Sequence, residues 1–154
     1  ACHDDDPRAT VESVQNLIKE EATRGLQTLS TYSEFQARAD QVKDALLNFL
    51  LEQQREGKSV VAYGAAAKGN TILNYAGIKP DLLPVVFDAA AAKQGKFMPG
   101  SHIPILPPAE LDKYSPDFLL ILPWNIAEEV KEQNAGLEAS GTRFVTALPE
   151  LVVA

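Results

Sequence analysis

Lys58-Ser59-Val60-Val61-Ala62-Tyr63-Gly64-Ala65-Ala66-Ala67-Lys68-Gly69-Asn70-Thr71 is the stretch that decides how the rest of the chain is read. An apolar run leads into Gly64. A turn of small residues follows, then Lys68, Gly69 and Asn70, then an amphipathic segment. The pattern predicts a strand over 59–63, a tight turn, and a helix from about Lys68 to Ala76, with Gly77 as its stop. In open α/β sheets such a turn brings backbone N–H groups and a helix N-terminus toward anions.

Working outward, Pro84 opens a second strand, Val85-Val86-Phe87, which ends at Asp88. A loop dense in glycine, proline and polar residues follows over 93–102. Ile103-Pro104-Ile105 is too short and too proline-broken for a central strand. Pro107 and Pro108 open a short helix through Tyr114. Phe118 to Leu122 is a continuous apolar run, as a strand buried on both faces requires. Asn125 with Glu128 forms a capping-type pair that opens a helix to about Ser140, and Arg143 to Ala147 reads as a last strand. The apolar tail, Leu148 to Ala154, is expected to pack against the body.

Upstream, Thr10 is placed to cap a first amphipathic helix ending at Gly25. Thr31 with Glu34 has the capping-box spacing for a second, running to Gly57. Residues 1–9 are polar, and Asp4, Asp5, Asp6 and Pro7 read as a frayed end or an inter-domain join. The expected architecture is a Rossmann-like α/β fold. It has a parallel sheet of about four strands in the order 2-1-3-4, helices on both faces, and two preceding helices. Residues 1–57 are expected to form a helical segment packing on the sheet, and residues 58–154 the Rossmann-like domain, in one compact unit.

Bulk properties narrow the function. The chain has 154 residues, 45% of them apolar and 23% charged, with a net charge of −7. The acidic balance argues against nucleic acid as a partner, because phosphate-backbone binding needs a basic surface. It leaves room for a local basic pocket. One cysteine, Cys2, forbids an internal disulfide and fits a reducing, cytoplasmic setting. Cys2 and His3 lack further cysteines to complete a metal site. No apolar run is long enough to span a bilayer.

The doubly wound order would bring the loops after strands one and three to one crevice, with Asp88 beside them. Gly64 permits the turn, and Gly69 would let a ligand approach the backbone. Lys68 supplies a point charge for a phosphate, and Asn70 or Thr71 a hydrogen bond to it. Yet the loop is not GxGxxG, because alanine stands at the second glycine position. Nor is it GxxxxGK(S/T), because Lys68 precedes Gly69. An anion site and an ordinary tight turn both remain open on pattern. Asp88 sits where a ribose-binding carboxylate would sit, or is a solvated strand-end acid. Lys93 and Lys96 form a basic lip or a plain loop surface. His102 is an acid/base group or a structural histidine. Trp124 stacks on a ligand ring or packs. Asn125 caps a helix, contacts a ligand, or does both.

Three ordered motifs, VVAYGAAAKGNTILNYAGI (60–78), KQGKFMPGSHIPI (93–105) and PDFLLILPWNIAEEV (116–130), resemble the C-terminal domain of S-adenosylmethionine-dependent sugar-nucleotide C-methyltransferases. These enzymes methylate a ring carbon of dTDP-linked keto-deoxysugars. The resemblance covers nearly the whole chain. It implies a full enzyme with a cysteine-rich zinc segment, a central S-adenosylmethionine domain carrying the acid/base residues, and a C-terminal Rossmann-like domain that helps hold the nucleotide sugar. This chain corresponds to the third part alone. No cofactor, metal or catalytic residue is expected in it. Its expected partners are the nucleotide sugar and the central methyltransferase domain of the same full-length chain.

The resemblance carries substrate-contact roles onto Gly64, Ala65, Lys68, Gly69, Asn70, Asp88, Lys93, His102, Trp124 and Asn125, and Lys96 joins this expected set as part of the basic lip. Gln94, Pro99 and Gly100 match as well. Residues 88–93 depart from the family, which tends to have asparagine and proline before the lysine. The leading expectation is a substrate-binding domain that is inactive as a transferase by itself. The alternatives are a scaffold without ligand contacts and a freestanding nicotinamide-dependent oxidoreductase.

Overall fold

The computed structural model describes residues 3 and 5–154, so the readings placed on Cys2 and Asp4 lie outside the described residues. The chain divides into two compact units, Ala1–Ala39 and Asp40–Ala154.

In the first unit, α1 (Glu12–Thr23) starts after Val11 without a side-chain cap, so Thr10 does not cap it. No residue of α1 is buried; Val11, Val14, Leu17 and Ile18 are all exposed. Thr31 does not open a capping box either. It lies inside a short helix, α2 (Leu29–Ser33), and its Oγ1 donates to the Gly25 carbonyl at 2.7 Å. The same carbonyl accepts from Thr28 Oγ1 at 2.8 Å. The expected pair of helices is therefore three, because these hydroxyls serve the carbonyl that ends α1 rather than the N–H groups of the next helix. The third, α3 (Phe35–Arg55), begins here and runs on into the second unit.

The second unit is built on β1 (Val60–Tyr63), β2 (Val86–Phe87), β3 (Ile105–Leu106), β4 (Phe118–Ile121), β5 (Arg143–Thr146) and β6 (Val152–Val153). They form one sheet in the order β3-β2-β1-β4-β5-β6. The expected central order, with strand one between strands two and three, is present as β2-β1-β4-β5, all parallel. The expected count of about four and the all-parallel sheet are both corrected. Two short edge strands extend it, and β6 runs antiparallel to β5, pairing Val145 with Val153. Pro104 interrupts no ladder, since only its carbonyl is used, accepting from Val86 N–H at 3.0 Å. An edge strand tolerates proline on those terms. The apolar tail pairs because Val152 and Val153 meet the open edge of β5.

The sheet is covered on both faces. Val60, Ala62, Val86 and Leu120 point to a cluster closed by Leu46, Phe49 and Leu50 of α3 and Leu73 of α4 (Ala67–Tyr75). Val61, Tyr63, Phe87, Leu119 and Phe144 point the other way. They pack against Leu111 of α5 (Leu111–Tyr114), Val130 of α6 (Ala127–Gln133) and Leu137 of α7 (Ala135–Ala139). Burying each such leucine or phenylalanine stabilises the unit by roughly 1.5–3 kcal/mol before conformational entropy is counted. α6 and α7 stand where one helix to Ser140 is expected; the chain breaks at Asn134, whose Nδ2 donates to the Val130 carbonyl.

Candidate functional site

The β1–α4 turn is fixed by its neighbours. Gly64 has φ +88°, and a Cβ there would lie 2.5 Å from Pro123 Cδ, so no other residue fits. Its N–H donates to the Phe87 carbonyl at 2.7 Å. Ala65 N–H donates to Asp88 Oδ2 at 2.7 Å. Ala66 then takes the extended N-cap conformation of α4, with no side-chain cap. The first N–H groups of a helix have no intrahelical partner and carry its positive end.

Asp88 is the hub of this corner and is buried. Its Oδ2 accepts from Ala65 N–H and, at 2.9 Å, from Lys93 Nζ; its Oδ1 accepts from Ala90 N–H at 2.8 Å. Its backbone carbonyl accepts from Gln94 Nε2 at 3.0 Å. The carboxylate thus ties the β1–α4 turn to the loop after β2. Gly69 is buried, and a Cβ there would meet Leu122 Cβ at 2.5 Å, so its need for glycine comes from helix–strand packing.

The loop after Lys93 doubles back. Phe97 bridges Pro104, and Met98 N–H donates to the Ile103 carbonyl at 2.8 Å. The tip docks on α4, where Asn74 Nδ2 donates to the Pro99 carbonyl at 2.9 Å. Lys79 Nζ donates to the Gly100 carbonyl at 2.6 Å. His102 sits at this tip with φ +61°, its ring stacked on Phe97 at 4.7 Å between centroids. It is exposed and lines neither cleft described below.

Lys68 leaves the first turn of α4 toward the loop after β4. Its Nζ lies 5.3 Å from the centre of the Trp124 ring and donates to Asn125 Oδ1 at 3.3 Å. The two loops therefore share a corner, as the winding of the sheet requires. Asn125 is exposed and makes no cap hydrogen bond; a 3-10 turn over Trp124–Ile126 precedes α6.

Two clefts flank the Asp88–Lys93 pair. The larger, about 450 Å³, lies between the β1–α4 turn and the loop that carries Lys93 and Lys96, and Asn70, Met98 and Phe97 line it. The smaller, about 330 Å³, lies over the ends of β1 and β4, between Gly64, Asp88, Pro123 and Glu129. Tyr63 also lines it. Burial pushes the Tyr63 phenol above its usual range, the nearby Asp88 charge adds to this, and a hydrogen bond with Asn134 opposes both. Tyr63 is therefore a neutral O–H at physiological pH.

The candidate residues thus divide. Ala65, Asn70, Lys93 and Lys96 line the larger cleft, Gly64 and Asp88 the smaller, and Lys68, Trp124 and Asn125 form a corner of their own. Met98, Phe97 and Ala92 of the larger cleft are absent from the sequence-based set. Their signal, two large apolar residues inside a glycine- and lysine-rich loop, is weak. Among the described residues no three His, Cys, Asp or Glu side chains come together to hold a metal, so zinc does not fit them. No helix among them is long and apolar enough to cross a membrane.

Comparison with known proteins is consistent across nearly the full chain. A family model described as C-methyltransferase C-terminal domain matches residues 1–149. The C-methyltransferase NovU of Streptomyces niveus is 33% identical over 138 residues, which are 90% of this chain and 33% of that protein. The chain thus spans about a third of that relative's length.

Proposed function

The chain belongs to the C-methyltransferase C-terminal domain family, and from that premise we propose that it helps bind a nucleotide-linked keto-deoxysugar for a larger sugar C-methyltransferase. The observation that carries this reading is the meeting of Lys68 with Trp124 and Asn125 where the sheet reverses its winding. Such switch points are where open α/β sheets bind ligands.

Lys68 and the first N–H groups of α4 face the diphosphate. On binding, Lys68 exchanges a neutral acceptor, Asn125 Oδ1, for a phosphate oxygen, and charge-assisted bonds are roughly twice as strong as neutral ones. Asn125 and the Trp124 ring, freed on that side, face the sugar. S-adenosylmethionine supplies the methyl group in the longer enzyme, held by its central domain. Deprotonation beside the keto group also belongs there, so this domain alone is inactive as a transferase and works with that domain in the cytoplasm.

One observation favours a scaffold reading: the Asp88 carboxylate is already occupied by the chain's own donors. Calorimetric titration with dTDP separates the two. Binding that falls roughly tenfold or more in Lys68→Ala, the scale of one charge-assisted bond, supports substrate binding. Absence of heat, or equal binding by the variant, refutes it.

A further inference from the structure

Resting on that reading, we propose that Asn74 is a positioning residue for the bound anion: it clamps the tip of the 93–102 loop to α4 and so holds Lys96 in register with the positive end of that helix. Ala66 and Ala67, at the start of α4, line the larger cleft together with Lys96, so two cationic features carried by different elements face one space. Lys93 of the same loop is neutralised by Asp88, whereas Lys96 Nζ donates to the neutral Ala92 carbonyl at 2.6 Å and keeps its charge for an anion. The spacing of Lys96 from the start of α4 is fixed only if the loop is fixed.

The loop is a hairpin off the sheet edge. Gly95 N–H donates to the Ile105 carbonyl at 2.9 Å, and Ile105 N–H to the Lys96 carbonyl at 2.8 Å. A two-stranded hairpin is marginal by itself, so its tip needs an outside partner. Asn74, further along α4 than Lys68, supplies one. Its Nδ2 donates to the Asn70 carbonyl at 2.8 Å within the helix and to the Pro99 carbonyl at 2.9 Å across the gap. The first bond orients the amide and the second spends it on the loop. Gly100 is matched to that amide. It has φ +80°, and a Cβ there would overlap Asn74 Oδ1 and lie 2.9 Å from its Cγ. The amide could swing clear of such a Cβ only by giving up its bonds. Lys79 ties the same tip at the Gly100 carbonyl, so loss of Asn74 loosens the tip without releasing it. Asn74 is exposed and lines neither cleft, so it acts on the anion through Lys96 rather than by contact.

A double-mutant cycle read by calorimetric titration with dTDP tests this. Lys96→Ala is expected to weaken dTDP roughly tenfold, the scale of one charge-assisted bond. Asn74→Ala should weaken it roughly 5-fold, the scale of re-ordering one long side chain on binding. Gly100→Ala, which displaces the same amide, should weaken it at least as much. In the Lys96→Ala background neither substitution should weaken dTDP further, because the cation they position is gone. Amide hydrogen exchange in Asn74→Ala should quicken at Met98 and His102, whose N–H groups donate within the loop, and stay unchanged in β1 and β4. A purely structural role would instead lower affinity equally in both backgrounds. That result, or parent-like binding by Asn74→Ala, overturns the inference. Parent-like binding by Lys96→Ala overturns it too, and if Lys68→Ala still weakens dTDP the proposed function stands. If the parent chain binds no dTDP, both fall.

Discussion

Gly69→Ala tests whether this glycine serves packing. The added Cβ would stand 2.5 Å from Leu122 Cβ, 3.1 Å from its Cγ and 3.0 Å from its Cδ1. Carbon atoms rest at about 3.5–4.0 Å, so α4 and the end of β4 must part by about 1 Å. The closest atom is attached directly to the backbone, and no rotamer of Leu122 moves it. Overpacking of this kind costs about 1–3 kcal/mol, and the helix preference of alanine over glycine returns about 1 kcal/mol. The expected net loss is up to about 2 kcal/mol, or up to roughly 8 °C in Tm for a chain of this size.

Gly136→Ala is the control. Gly136 also lies within a helix, α7, but a Cβ there meets nothing within 4 Å. The same substitution should therefore stabilise, by about 0.5–1 kcal/mol. Urea denaturation of the two variants beside the parent chain, with matching slopes, gives both signs. A second variant sharpens the mechanism: Leu122→Ala removes Cγ and Cδ1 but keeps Cβ, so it should not rescue Gly69→Ala. A Gly69→Ala chain stabilised as much as the Gly136→Ala control, or a rescue by Leu122→Ala, would refute the packing argument.

Asp88→Ala should cost about 2 kcal/mol in urea denaturation, since it strips the acceptor from a part-buried Ala65 N–H and from Ala90 N–H. Unchanged stability would show that the turn holds without its carboxylate. Asp117 accepts from Ser59 N–H at 2.7 Å and from Ser59 Oγ at 2.9 Å, and these bonds hold its carboxyl below the usual aspartate range. A depressed folded-state pKa contributes stability above the unfolded value, and that contribution is lost as pH falls through the folded one. The stability gap between the parent and Asp117→Asn should thus be full at pH 6 and close toward pH 3; a gap independent of pH would contradict it.

The turn was legible because its cause is local. Val60 to Tyr63 are apolar without alternation, as a strand buried on both faces must be, and Gly64 stands where only glycine fits. From that turn and the 118–122 run, winding rules alone place Lys68 beside Trp124, 56 positions apart in sequence. What escaped the sequence has no periodicity to betray it. β3 and β6 are two residues each, too short to show a pattern. The Ser59–Asp117 clasp joins two positions 58 apart through one polar pair. Asn125 has the spacing of a cap, yet its side chain serves Lys68, because the 3-10 turn that precedes α6 shifts the helix start past it.

The charges around the turn decide which lysines can attract an anion. Asp88 spends its negative charge on Lys93 at 2.9 Å, so that lysine adds little net potential despite its place between the clefts. Lys68 and Lys96 hold neutral acceptors instead, Asn125 Oδ1 and the Ala92 carbonyl. Those two, with the positive end of α4, supply the local basic patch in a chain whose net charge is −7. The remaining acidic surface acts only weakly there, because charges separated by more than about 10 Å are largely screened at 0.1 M salt.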